Sequence, residues 1–233
     1  MERAALVERM VGLILPMRPG HVLRVAVDGP DAAGKSTLVA ELGRRLSGTR
    51  ATIQASVDGF HRPRAVRRRR GELSPEGYYH DSFDYVALRD SLLDPLGPGG
   101  NRRYRTASYD HRADRAKQRQ VQVAPEDAVL LVDGVFLLRP ELREHWDLRI
   151  YLEVAPAESI RRALVRDVEL FGGVEAVRER YLARYLPGQQ LYRDEAAPVR
   201  QADVVLDNND PSAPGVLKWP RWSVGPSAGD EVG

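Results

Sequence analysis

No cysteine occurs among the 233 residues of the chain. That excludes a disulfide framework, a thiolate-ligated metal and a cysteine nucleophile, and it suits a cytoplasmic enzyme. Lysine is scarce, with residues only at positions 35, 117 and 218, so arginine carries nearly all the positive charge and Lys35 stands out against it. No apolar run approaches the roughly 18 residues that span a membrane. The opening stretch MERAALVERMVGLIL has acidic residues and no cleavage-like end, and reads as an amphipathic first helix. An excess of one charge sign is missing too: 35 Lys and Arg against 33 Asp and Glu leave a net charge of +2. No global field therefore draws the chain to nucleic acid or membrane, and any basic site is local. The length fits one α/β domain with a buried core and lids.

What is present is Gly29-Pro30-Asp31-Ala32-Ala33-Gly34-Lys35-Ser36-Thr37, a full match to the phosphate-binding loop pattern Gly-x-x-x-x-Gly-Lys-Ser/Thr. Residues 22–28 (VLRVAVD) before it read as a buried strand and residues 36–46 (STLVAELGRRL) after it as a helix, which is the context the motif requires. Its glycines let successive N–H groups turn toward phosphate oxygens at a helix N-terminus. Lys35 is expected to reach the outer phosphates and the Ser36 hydroxyl to hold Mg²⁺. An Asn-Lys-x-Asp guanine reader is missing at all three lysines, which leaves ATP as the expected nucleotide.

Further strands are expected at residues 51–57, 128–132, 148–154 and 202–206, with helices at 83–93 (capped by Ser82), 156–170 and 174–186. Strands alternating with helices imply a five-stranded, mostly parallel sheet in a three-layer P-loop NTPase sandwich with a helical lid. Residues 1–210 read as the kinase domain, with lid and substrate loops near 60–80, 100–120 and 160–186. Residues 211–233 read as a Pro/Gly-rich tail, mostly irregular. Ligands in such folds sit beyond the carboxyl ends of the strands, where Gly29, Asp58 and Asp133 all fall.

A small-molecule kinase needs a carboxylate facing the γ-phosphate to take the proton of the attacking hydroxyl, and Asp58 is so placed. The plain alternative is an aspartate capping the turn before Gly59. Asp133 ends a strand beside the loop, where it can order Mg²⁺ or merely close an Asp-Gly turn. Arg162 and Arg166 share one helix face and can cover a phosphoryl group or form a solvated basic face. His61 and His111 lie in the loops bordering the acceptor pocket.

The ordered set GPDAAGKST, SVDGFH, YYHDSFD, LLVDG, RRALVRD, RYLARYLP and PVRQADVVL resembles the uridine kinase and phosphoribulokinase group of P-loop kinases, which includes type I pantothenate kinases. The resemblance implies Asp58 as base, Phe60-His61 in place of an aromatic pair, Asp81 as ribose ligand, and Arg166-Asp167 as the lid pair with Arg162 nearby. Tyr104, Tyr109 and His111 are its candidates for base recognition. The family's further lid arginines are replaced by Leu170-Phe171-Gly172-Gly173. The expected activity is transfer of the ATP γ-phosphate, with Mg²⁺, to a primary hydroxyl of a small molecule. The 5′-hydroxyl of uridine or cytidine comes first, and pantothenate or a sugar is the alternative. A nucleic-acid-binding ATPase, suggested by the run Arg67 to Arg70 and the basic stretch 102–119, and a silent nucleotide-binding regulator are the other classes. A homo-oligomer is compatible with the family.

Overall fold

Leu23–Asp28 form the central strand β1, and every one of these residues is buried. Such a run is stable only where both faces of a sheet are covered. The structure, a computed structural model, describes residues 1–117 and 120–223. Thr52–Ser56 (β2), Val129–Asp133 (β3), Leu148–Glu153 (β4), Val204–Asp207 (β5) and Gly215–Lys218 (β6) complete one sheet in the order β6-β5-β4-β1-β3-β2. The pairs β1–β3, β1–β4, β2–β3 and β4–β5 are parallel, and β6 alone runs antiparallel, along β5.

Parallel neighbours need crossover connections, and here helices supply them on both faces. Arg3–Ile14 (α1) and Lys35–Leu46 (α2) cover one face, where Leu6, Met10, Leu38 and Leu42 pack with Val25, Leu131 and Ile150. The other face carries an aromatic-rich cluster that includes Phe60, Tyr79, Phe83, Phe136 and Tyr192. This is the expected three-layer α/β sandwich of P-loop NTPases. Besides β1, the carboxyl ends of β2 and β3 gather at one edge of the layers, so the loops that follow them share a mouth.

Several local expectations are corrected. Among the described residues the sheet has six strands rather than five, because residues 215–218, expected in an irregular tail, pair with β5. The chain start ties that segment down: Arg3 N donates to Ser212 O and the N-terminal ammonium to Pro214 O. The Arg9 guanidinium lies 4.1 Å from the centre of the Trp219 ring. The part of the tail beyond residue 223, and residues 118–119 of the basic stretch, lie outside the described residues.

Residues 62–79, expected as a loop, contain helices Arg64–Arg67 and Pro75–Asp81 (α3). The second has a Ser74 cap accepting from Gly77 N at 2.9 Å and a proline in its first turn, a local start signal that the surrounding charge concealed. The next helix starts at Tyr85, capped by Asp84 and not by Ser82. Pro156–Arg166 (α4) ends four residues sooner than expected, and Val168–Phe171 follow as a separate short turn. Val174–Arg180 (α5) does not stop before Pro187. A π turn over Tyr181–Tyr185, closed by Leu186 N donating to Tyr181 O, leads into Leu186–Ala196 (α6). The shifted register leaves Pro187 in the first turn of the new segment, where its missing amide proton costs nothing.

Candidate active site

The phosphate loop joins β1 to α2 through backbone conformations that few residues adopt. Gly34, at the N-cap of α2, has φ +88°, and Ala32 has φ +59°. At Gly29 a Cβ would lie 2.6 Å from Leu152 O, so the turn runs against β4 too closely for any side chain. These turns leave the first amides of α2 at the loop's mouth, with the positive end of the helix dipole behind them. Lys35 is buried and its Nζ donates to Gly29 O at 3.0 Å and Pro30 O at 2.7 Å. Burial lowers its pKa, and the nearby carboxylates of Asp31, Asp28, Asp133 and Asp58 oppose that shift.

Beside the loop, Ser36 Oγ donates to Asp133 Oδ2 at 2.7 Å, and Ser56 Oγ donates to the same oxygen at 3.4 Å. Burial raises the Asp133 pKa, and the Ser36 hydrogen bond and Lys35 pull it back. Among the described residues no cluster of three or more His, Asp or Glu side chains makes a metal cage. A hydroxyl and a carboxylate in contact are nonetheless the hard oxygen donors that Mg²⁺ accepts when water and phosphate complete its shell. Ser36 and Asp133 could therefore hold Mg²⁺, and the loop amides with Lys35 could hold phosphate.

Asp58 sits in the short 3-10 turn after β2, its N–H donating to Ser56 Oγ at 3.3 Å, and its side chain is 62% exposed. A mostly exposed carboxylate at this strand end is accessible to an incoming hydroxyl. It borders a cavity of about 460 Å³ that Ser56, Ala107, Tyr109, His111 and Lys117 also line. The floor is tight because loop 106–108 packs directly on Gly59, where a Cβ would lie 2.7 Å from Thr106 O. His61 stacks on His111 with ring centres 4.5 Å apart and donates through Nδ1 to Asp58 O, 3.0 Å away. Burial pushes its pKa down to about 4, so the ring is neutral at physiological pH.

The structure thus brings together Asp58, Lys35, Ser36, Asp133, Tyr109, His61 and His111 around one mouth. Other expected site residues are placed differently. Phe60 and Tyr104 are buried in the aromatic-rich core cluster and do not line the cavity. Asp81 is 1% exposed and takes two bonds from Arg69 and one from Arg70. Those arginines, led by Arg69, lower its pKa, and they occupy the oxygens that a ribose would need. Arg162 is a strut: its guanidinium donates to Glu158, to Ala32 O at 3.2 Å, and to Asn208 O and Asn209 O at 2.6 and 3.0 Å. Arg166 lies along Asp167 in a bidentate pair at 2.7 and 2.9 Å, which raises its pKa, and it remains more than half exposed.

Sequence reading missed a set of supports. Asp28, fully buried at the end of β1, accepts from Gly29 N, Leu138 N and the Tyr192 hydroxyl. Burial pushes its pKa up to about 6. Asn208 donates to Ala33 O at 2.7 Å and accepts from Arg3, bracing the phosphate loop from the end of β5. The one available signal for Asp28 was a charged residue closing an otherwise apolar strand. Asn208 gave none, because its partner is 175 residues away.

With this geometry in place, comparison with known proteins adds a class. No family model matches the chain. It is 26% identical over 194 residues to the uridine kinase of Brevibacillus brevis, an alignment covering 80% of this chain and 85% of that protein. A possible uridine kinase from Bacillus stearothermophilus superposes with a TM-score of 0.70 at 23% identity, over 88% of this chain and 99% of the other. A putative fructose transport system kinase from Silicibacter sp. TM1040 gives 0.68 at 26% identity, over 84% and 96%. The chain has the fold of P-loop kinases. In sequence it is similar to uridine kinases, as its ordered motifs imply.

Proposed function

We propose that the protein is an ATP- and Mg²⁺-dependent kinase of a small alcohol, with the 5′-hydroxyl of uridine or cytidine as its first acceptor. The observation that carries this reading is the convergence, at one mouth, of the phosphate loop, the Ser36–Asp133 pair and the exposed Asp58 carboxylate. ATP supplies the phosphoryl group, and Mg²⁺ would neutralise charge on its phosphates.

Asp58 accepts the proton of the acceptor hydroxyl as that oxygen bonds to the γ-phosphorus. The bond from the γ-phosphorus to the β,γ-bridging oxygen breaks, and ADP leaves with the electron pair. Lys35 and the amides at the start of α2 hold the charge that builds on the transferred group. Orientation of acceptor and donor in one cleft can lower the barrier by about 7 to 11 kcal/mol. General-base help from Asp58 adds about 10² to 10⁴-fold. In the same reading the stacked His61–His111 rings offer a flat wall to a pyrimidine, and Arg166 leaves Asp167 to cover the phosphates when the lid closes.

A second reading, a kinase of a non-nucleoside alcohol such as a sugar or pantothenate, is favoured by the occupation of Asp81 by Arg69 and Arg70. Assay of ADP release and of the phosphorylated product against nucleosides, pantothenate, D-glycerate and sugars decides between them. Phosphorylation of uridine or cytidine with at least tenfold higher kcat/KM than the rest is expected. Product from a sugar or pantothenate alone selects the second reading, and no product from any alcohol overturns both.

A further inference from the structure

Of the carboxylates that act on Lys35, three have a use in the site already described and one does not. Asp28 braces the loop from below, Asp133 meets Ser36, and Asp58 faces the cavity. Asp31 is the remaining one, and it exerts the largest opposing effect on the burial of Lys35. A carboxylate inside a loop that binds a polyanion repels the ligand, so its side chain needs a task other than holding the donor phosphates.

Its surroundings are built. The Tyr78 hydroxyl donates to Asp31 Oδ2 at 2.7 Å, and the Gln189 amide donates to the same oxygen at 3.2 Å. Tyr78 belongs to α3 and Gln189 to α6, and both are buried. The two helices meet at Gly188, where a Cβ would lie 2.6 Å from Tyr78 Cδ1. To serve Asp31, Gln189 leaves its own Oε1 buried with no partner among the described residues. An unpaired buried carbonyl is costly, so the amide is held in place by what it does for Asp31. Both donors reach Oδ2, whereas Oδ1 takes no protein donor among the described residues, on a residue that is partly exposed.

We propose that Asp31 is an acceptor-binding residue: its Oδ1, aimed by Tyr78 and Gln189, accepts a hydrogen bond from a second donor group of the alcohol being phosphorylated. The substrate class is then an alcohol with a further hydroxyl or amide N–H close to the reacting hydroxyl, such as a polyol or a ribose ring. This inference rests on the kinase reading above, and binding tests it separately from turnover.

Substitution Asp31→Asn reverses the polarity at the free position. Tyr78 and Gln189 both donate, so the asparagine carbonyl must face them and its NH₂ group then faces the ligand. Calorimetry on the full chain with Mg²⁺ and a non-hydrolysable ATP analogue measures the affinity of uridine, D-glycerate, fructose and pantothenate, each beside an analogue lacking one neighbouring hydroxyl. We expect at least one alcohol to bind the wild type and to lose tenfold or more on Asp31→Asn. Removing the ligand hydroxyl should cost the wild type the same factor and cost the variant nothing further. Tyr78→Phe should give a smaller loss of the same kind, and neither variant should weaken binding of the ATP analogue by more than about threefold. Equal losses for ATP analogue and alcohol, additive losses in the cycle, or no alcohol bound by the wild type would each overturn the assignment. Failure of the kinase reading shows instead as bound alcohol without phosphorylated product.

Discussion

Ser36 Oγ and Asp133 Oδ2 lie 2.7 Å apart, joining the first turn of α2 to the end of β3. The helix start that follows β1 and the end of its parallel neighbour β3 thus meet, 97 positions apart in the chain. If they share Mg²⁺, the metal replaces a hydrogen bond that already fixes both oxygens, and little reorganisation accompanies binding.

Asp133→Asn is therefore expected to raise the Mg²⁺ concentration needed for half-maximal activity by tenfold or more, with a smaller effect on ATP affinity in EDTA. Ser36→Ala should act in the same direction. Titration of activity and of ATP binding with Mg²⁺ checks both, and an unchanged Mg²⁺ requirement in Asp133→Asn removes that residue from the metal.

Asp58→Asn should keep ATP binding and lose transfer by about 10² to 10⁴-fold. Its exposed position predicts little change in melting temperature. Near-normal turnover in this variant would remove Asp58 from the base role.

Asp28 and His61 give the stability two opposed dependences on pH. Asp28 has a folded pKa raised from 3.8 to about 6, so its contribution is complete below about pH 3.8 and is lost as pH rises to about 6. His61 has a folded pKa lowered from 6.5 to about 4, so its contribution is complete above about pH 6.5 and is lost as pH falls to about 4. Each effect is on the order of 3 kcal/mol at 1.36 kcal/mol per pKa unit. Denaturant unfolding from pH 4 to 6.5 should show the advantage of wild type over Asp28→Asn falling with pH and its advantage over His61→Phe growing. Parallel pH profiles for wild type and both variants would contradict these shifts.

Arg162 should behave as a brace. Because it ties α4 to Ala32 O and to the loop after β5, Arg162→Ala should destabilise the fold by about 2 to 3 kcal/mol, the scale of a charged hydrogen bond. It should also raise KM for ATP more than KM for the acceptor. Thermal unfolding and steady-state kinetics test both, and a change confined to the acceptor KM would return Arg162 to the substrate side.

The sequence by itself determined the phosphate-loop motif and the strand and helix that flank it. The phosphate loop is nine consecutive residues, and its flanking strand and helix are local patterns, so Gly29, Lys35 and Ser36 were legible from spacing alone. Buried strands ending in Asp28 and Asp133 were legible for the same reason, since a parallel sheet covered on both faces imposes a continuous apolar run. Only the tertiary structure decided what the charged groups around the loop do. Asp81 and Arg162 look free in sequence because a side chain's partner is a long-range property. Arg69 and Arg70 occupy the first, and the backbone of residues 32, 208 and 209 occupies the second. Likewise the sixth strand depends on pairing with β5 and on anchoring by the first residues of the chain, which no local propensity encodes. Asp31 shows both limits at once: its place in the loop is written in the motif, and its orientation is set by Tyr78 and Gln189, 47 and 158 residues away.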